Sequence, residues 1–299
     1  MKSSTHKWIV IGILGCTAIF GLLFVFALFG LKDATTAGGG INISKRVAVV
    51  RLEGEIYESA WHAAQLREYL NNRSVSGVLL RINSPGGAVA PSQELYSEVA
   101  AYRAAGKPLV VSMGNVAASG GYYIAAPAQK IFASPGTLTG SIGVIFMIST
   151  FQELAKKVGV DFKVLKAGEL KDAGSFSRPM TEVEEKYFQT LLDDTHEQFI
   201  SDVALGRDML KEEIIPLADG RVFTGRQAYE NNLIDTLGGY SEALDYLRAL
   251  CGIPESVKPI EKKPYSGWRE FFMETAQKNI PGIETMTRPS GLYFLFAPR

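Results

Sequence analysis

Histidine, cysteine and net charge are all scarce in this chain of 299 residues, which has three histidines, two cysteines and a formal charge of zero. With Cys16 inside a long apolar run and Cys251 near the far end, no disulfide framework supports the fold. The charge balance, and the lack of a basic stripe interleaved with aromatics, exclude nucleic acid as a partner class. No H-E-x-x-H, C-x-x-C or phosphate-loop pattern occurs, so no metal site and no cofactor is expected. The histidines are poorly placed as catalytic bases. His6 precedes the apolar run, His62 follows Trp61 in a surface-type helix, and His196 sits beside Asp193, Asp194 and Glu197. No internal repeat is found.

Long apolar runs are not lacking. Residues 8–31 (WIVIGILGCTAIFGLLFVFALFGL) carry no charge and lie between Lys7 and Lys32. As a helix they would span roughly 36 Å, enough for the ~30 Å hydrocarbon core of a bilayer. The run is too long for the apolar part of a cleaved signal, and an uncleaved anchor is expected. Lys2, Lys7 and the amino terminus favour a cytoplasmic tail at 1–7, with the remaining mass across the membrane. Residues 32–45, with three consecutive glycines, read as a flexible linker. Residues 46–250 are long enough for one domain with a sizeable core. A tail at 251–299 follows, rich in lysine, proline and aromatics, whose partner the sequence leaves open.

Strand-like and helix-like segments alternate within 46–250, which predicts an α/β class. The expected strands are Val47–Leu52, Gly77–Ile82 and Leu109–Met113, with helices over Ala60–Asn71 and Pro91–Ala105. Continuous apolar strands separated by helices imply a sheet covered on both faces. Thr181-Glu-Val-Glu184 and Thr224-Gly-Arg-Gln227 are capping boxes that open two further helices.

Three segments carry candidate chemistry. Asn83-Ser-Pro-Gly-Gly87 follows a strand; it is either an ordinary turn or a source of free backbone N–H groups able to stabilise an oxyanion. Ala118-Ser-Gly-Gly121 places Ser119 between strand and helix, where a serine is either an N-cap or an activated nucleophile. Lys171 lies among small residues in Gly168–Gly174, between an apolar strand expected at Phe162–Leu165 and the capped helix. A lysine there is either solvated or, if burial disfavours its charged form, a general base.

Together the blocks INSPGG (82–87), ASGGYYIA (118–125), SPGTLTGSIGV (134–144), GELKDAGS (168–175), RPMTEVE (178–184) and RVFTGRQAYENNLIDTLGG (221–239) resemble the signal peptide peptidase A family. These are bacterial membrane-anchored Ser–Lys proteases of peptidase family S49. The resemblance implies a Clp protease/crotonase-like fold, a repeated ββα spiral preceded by one transmembrane helix. It makes Ser119 the nucleophile and Lys171 the base, Gly86 an oxyanion donor, and Ser141 the residue that orients the lysine; a second oxyanion donor is expected near Ser119 or Gly120. It implies a ring-shaped homo-oligomer at the cytoplasmic membrane, with the catalytic domain on the extracytoplasmic side and remnant signal peptides as substrates. Pro127, expected to shorten or kink the helix after Ser119, and Asn231-Asn232, where a glycine is usual, depart from the family pattern. The rival readings are a crotonase-like acyl-CoA enzyme and a non-catalytic membrane-anchored assembly protein.

Overall fold

The computed structural model describes residues 45–262 and 292–296. The expected cytoplasmic tail, the anchor expected at 8–31 and most of the linker lie outside the described residues. Among the described residues no helix is long and apolar enough to cross a membrane.

Six strands form the main sheet path: β1 (Arg46–Glu53), β2 (Val75–Ser84), β4 (Leu109–Ala118), β5 (Lys130–Ala133), β9 (Thr236–Leu237) and β10 (Ile260–Glu261), in the order β10-β1-β2-β4-β5-β9 with every pairing parallel. The fold is mixed α/β, as the alternation of segments predicts. On β1, Val47 and Val49 face α8 (Tyr240–Cys251), where they pack with Leu79, Val110 and Leu247. Ala48, Val50 and Leu52 face the larger core, which contains Leu66 of α1 (Ala60–Asn71), Leu95 and Val99 of α2 (Val89–Ala104), and Phe199 and Val203 of α5 (Glu182–Arg207). A period-2 strand with apolar residues at nearly every position therefore has both faces buried.

β4 continues five residues past the Leu109–Met113 run expected from apolar content. Its first half pairs with β5, and its second half, Val116–Ala118, pairs with β6 (Leu138–Gly140). β6 in turn lies antiparallel to β8 (Val222–Thr224). Both capping boxes form: Thr181 Oγ1 accepts from Glu184 N, and Thr224 Oγ1 from Gln227 N. The helix opened by Thr224, α7 (Gly225–Glu230), is short and ends at Asn231. Asn232 comes next with φ 59°, a left-handed conformation that asparagine tolerates better than most residues.

One expectation changes and one open question closes. Phe162–Leu165 is not a strand: residues 160–166 are irregular and exposed, because no described strand pairs with them. For the tail, whose partner the sequence left open, the described part packs on the domain. Leu292–Leu295 forms β11, the middle strand of a second, antiparallel sheet between β3 (Gly86–Ala88) and β7 (Ile145–Phe146).

Candidate active site

Ser119 stands at the junction of β4 and α3 (Gly120–Ala125), 1% exposed, with φ 53° and ψ −116°. A non-glycine residue there carries strain of order 1–3 kcal/mol, which persists only where the surroundings impose it. Here Ser119 N donates to Gly140 O (2.7 Å) and Ser119 O accepts from Tyr123 N (2.8 Å). The ordinary N-cap reading lacks its bond, since the Ser119 side chain makes no capping hydrogen bond. Helix α3 stops at Ala125, just before Pro127, as the proline predicts.

The glycines of the first block meet this turn. Gly86 has φ 100°, and a Cβ added to it would lie 2.7 Å from Gly120 N and 2.0 Å from Phe294 O. Its N–H donates to Ser84 Oγ at 3.1 Å. Ser119, Gly86 and Gly120 are thus brought together although 33 positions separate Gly86 from Ser119. What enters the space between the glycines is β11. Tyr293, Phe294 and Leu295 pair with Ala88, Gly87 and Gly86, and Phe296 N donates to Pro85 O at 2.7 Å. The Phe294 ring is fully buried against Tyr123 (centroids 5.0 Å apart) and Phe199 (4.5 Å). Tyr123 Oη donates to Asp202, and Tyr96 Oη donates to the Asp202 carbonyl at 2.9 Å. Burial, with Asp202 nearby, pushes the Tyr96 phenol up to about 12.

Ser141 has φ 53°, is 6% exposed, and donates its N–H to Arg221 O at 2.9 Å. It lines a cavity of about 610 Å³ with Ile145, His196, Asp219, Leu295 and Phe296. His196, set aside in the sequence, points its Nε2 into buried surroundings with no hydrogen-bond partner among the described residues. Its i, i+3 relation to Phe199 on α5 is the signal that could have placed it near the aromatic pocket.

Lys171 lies in the 3₁₀ turn Glu169–Asp172, exposed, and no direct link joins it to Ser119 among the described residues. Around it Phe162, Val164, Leu165, Leu170 and Phe176 are exposed as well, Leu165 at 88%. Among the described residues no group of three or more histidine, cysteine or acidic side chains is arranged to hold a metal ion.

A serine on a strained strand-to-helix turn, facing backbone donors and an extended strand, is the arrangement of hydrolases that attack carbonyls through a serine hydroxyl. Sequence comparison gives the family. The profile of peptidase family S49 matches residues 101–253. A provisionally named protease of Synechocystis sp. is 40% identical over 216 residues, 72% of this chain and 78% of that protein. A provisionally named signal peptide peptidase SppA of Enterococcus faecium is 40% identical over 233 residues, covering 78% and 68%. Protease 4 of Haemophilus influenzae is 36% identical over 213 residues, 68% of this chain but 34% of the longer relative. The chain belongs to peptidase family S49. It is a serine peptidase and its substrates are peptides.

Proposed function

We propose that the protein is a membrane-anchored endopeptidase of Clp/crotonase-like ββα spiral fold that degrades remnant signal peptides with a Ser119–Lys171 dyad. Ser119 Oγ attacks the peptide carbonyl while the neutral Lys171 amine takes its proton. The oxyanion forms against the N–H groups of Gly86 and Gly120, with Gly86 N turning from Ser84 Oγ to the substrate. Each donor contributes about 3 kcal/mol to the transition state. The amine then protonates the leaving nitrogen, and water hydrolyses the acyl-enzyme. Ser141 orients the lysine.

The observation that carries this reading is the uncapped, left-handed Ser119 beside Gly86 and Gly120, with a peptide carbonyl, that of Phe294, already directed between them. β11, pairing between β3 and β7 with the Phe294 side chain in an aromatic pocket, supports an added-strand mode for an extended peptide. A lysine works as a base when water is kept from it. A second copy supplies that cover: Phe162, Val164, Leu165, Leu170 and Phe176 around Lys171 are exposed together, an apolar cluster suited to burial against a neighbouring copy in a ring. The run 8–31 holds the ring at the cytoplasmic membrane, with the amino terminus inside and the catalytic domain outside, where signal-peptide remnants emerge.

The test is cleavage of an apolar signal peptide by the full chain in mild detergent, with particle mass measured alongside. Ser119→Ala and Lys171→Ala each lower turnover by at least about 10³-fold without changing the mass. Leu165→Glu dissociates the particles and lowers activity with them. Wild-type turnover in Lys171→Ala removes the lysine from the mechanism.

A further inference from the structure

The turn that carries Lys171 has no hydrophobic support. None of residues 169–172 is buried, and residues 161–171 are all exposed. Four residues in a 3₁₀ turn are marginal alone, so something else must hold them. Polar bonds do so, and they converge on one side chain.

Arg178 spends all five of its N–H donors. Nε donates to Asp172 Oδ2 (3.1 Å) and Nη2 to the Asp172 carbonyl (3.3 Å). Nη1 donates to Glu184 Oε2 (2.9 Å) and to Pro179 O (3.1 Å), and the second Nη2 hydrogen goes to Glu184 Oε1. Glu184 is 3% exposed, and its Oε2 also accepts from Thr181 N in the capping box of α5. One guanidinium therefore joins the Lys171 turn to the first turn of a 26-residue helix. That helix runs on to His196, in the cavity beside Ser141, and to Phe199, which packs edge-on against Tyr123 of α3. From the far side Lys166 Nζ bonds Asp172 and the Glu169 carbonyl.

We infer that Arg178 is a positioning residue for Lys171, acting through Asp172 from the fixed post of Glu184; the inference rests on the dyad reading above. The strap has two effects. It fixes the turn relative to the helix that also shapes the nucleophile's surroundings. It also occupies the Asp172 carboxylate, which follows Lys171 directly in the chain and, left free, would pair with the ammonium and oppose its deprotonation. The charged groups around the turn are Lys166, Glu169, Asp172, Arg178 and Glu184. Arg178 and Thr181 hold Glu184 down to about 2, and Lys166 and Arg178 lower Asp172, so the strap stays charged throughout the range in which a lysine base would titrate. No lysine can replace Arg178, because a single amine cannot reach two carboxylates and two carbonyls with a planar fork's geometry.

The experiment uses the full chain, comparing Arg178→Ala, Arg178→Lys, Asp172→Asn and the double variant Arg178→Ala/Asp172→Asn. In Arg178→Ala, kcat falls roughly 10²-fold, the scale of a misplaced catalytic group, with KM little changed. The rising limb of rate against pH moves upward. The double variant returns the limb to its wild-type position without restoring kcat, and Arg178→Lys stays near Arg178→Ala. Amide exchange over 166–176 rises in Arg178→Ala while α5 beyond Glu184 exchanges as before. Asp172→Asn, which loosens the same strap from its other end without truncating a side chain, shows the kcat loss without the shifted limb should Arg178→Ala fold poorly. An active Lys171→Ala overturns the dyad and this inference together. An inactive Lys171→Ala beside an Arg178→Ala enzyme with wild-type turnover, limb and exchange overturns this inference alone.

Discussion

Ser119 and Ser141 each stand one residue past a paired position on neighbouring parallel strands: Ala118 of β4 lies opposite Gly140 of β6, and both serines have φ 53°. Two non-glycine residues in the left-handed region, joined through the bond from Ser119 N to Gly140 O, form one strained unit. Replacing Ser141 separates strain from chemistry. Ser141→Gly relieves the φ penalty and melts no lower than wild type, whereas Ser141→Ala keeps that penalty. Both lose the hydroxyl to which the proposed dyad assigns the orienting of the lysine, and both are expected to lose activity equally, roughly 10- to 100-fold, the value of a hydrogen bond to a charged or reacting group. Melting curves and kcat on the same preparations check this.

Gly86 admits no side chain. A methyl group would sit 2.0 Å from Phe294 O and 2.7 Å from Gly120 N, on a backbone with φ 100°. Gly86→Ala is expected to abolish cleavage and lower the melting temperature. Truncation before residue 292 removes the first clash and leaves the other two faults, so it does not restore activity.

Phe294 supports the fold and fills the aromatic pocket at once. Phe294→Ala costs about 3–5 kcal/mol of stability in denaturant unfolding. In the same variant KM for an extended apolar peptide falls, because the strand competing for the pocket has lost its anchor. A rise in KM would show that β11 builds the peptide site rather than occupying it.

The Glu184 carboxylate is held at about 2, first by Arg178 and then by Thr181 N, below its ordinary value near 4.5. A depressed carboxylate contributes stability that is complete above the unfolded value and is lost as pH falls through the folded one. The melting temperature of the wild type is therefore expected to fall between about pH 4.5 and 2, and its advantage over Glu184→Gln to shrink across that interval. Above pH 5 that advantage is constant.

The strands Val47–Leu52 and Gly77–Ile82, the helix at Ala60–Asn71 and both capping boxes were legible because short-range rules govern them: apolar period, and bonds between residues three apart. The second half of β4 was not, since Asn115 and Val116 have no continuous apolar pattern and become strand only through pairing with β6. Phe162–Leu165 misled in the opposite direction: its apolar run resembles a buried strand, but nothing among the described residues covers it. Ser119, Gly86, Gly120, Ser141 and Lys171 could all be named from their sequence blocks. His196 had only its i, i+3 relation to Phe199 to point to the aromatic pocket, and Arg178 had no signal, because its partners Asp172 and Glu184 meet only in the fold.

Residue order alone decided the α/β class, the family and the side chains available for chemistry, because hydrophobic period, helix caps and motif spacing are written within a few residues of one another. Tertiary structure decided which of them meet. β11 reaches β3 across some two hundred residues, and that pairing is favoured by burying Phe294 among Tyr123 and Phe199, a gain no local stretch can express. The same packing brings Gly86 beside the Ser119–Gly120 turn and leaves Lys171 on the surface, in a turn that Arg178 bonds through Asp172.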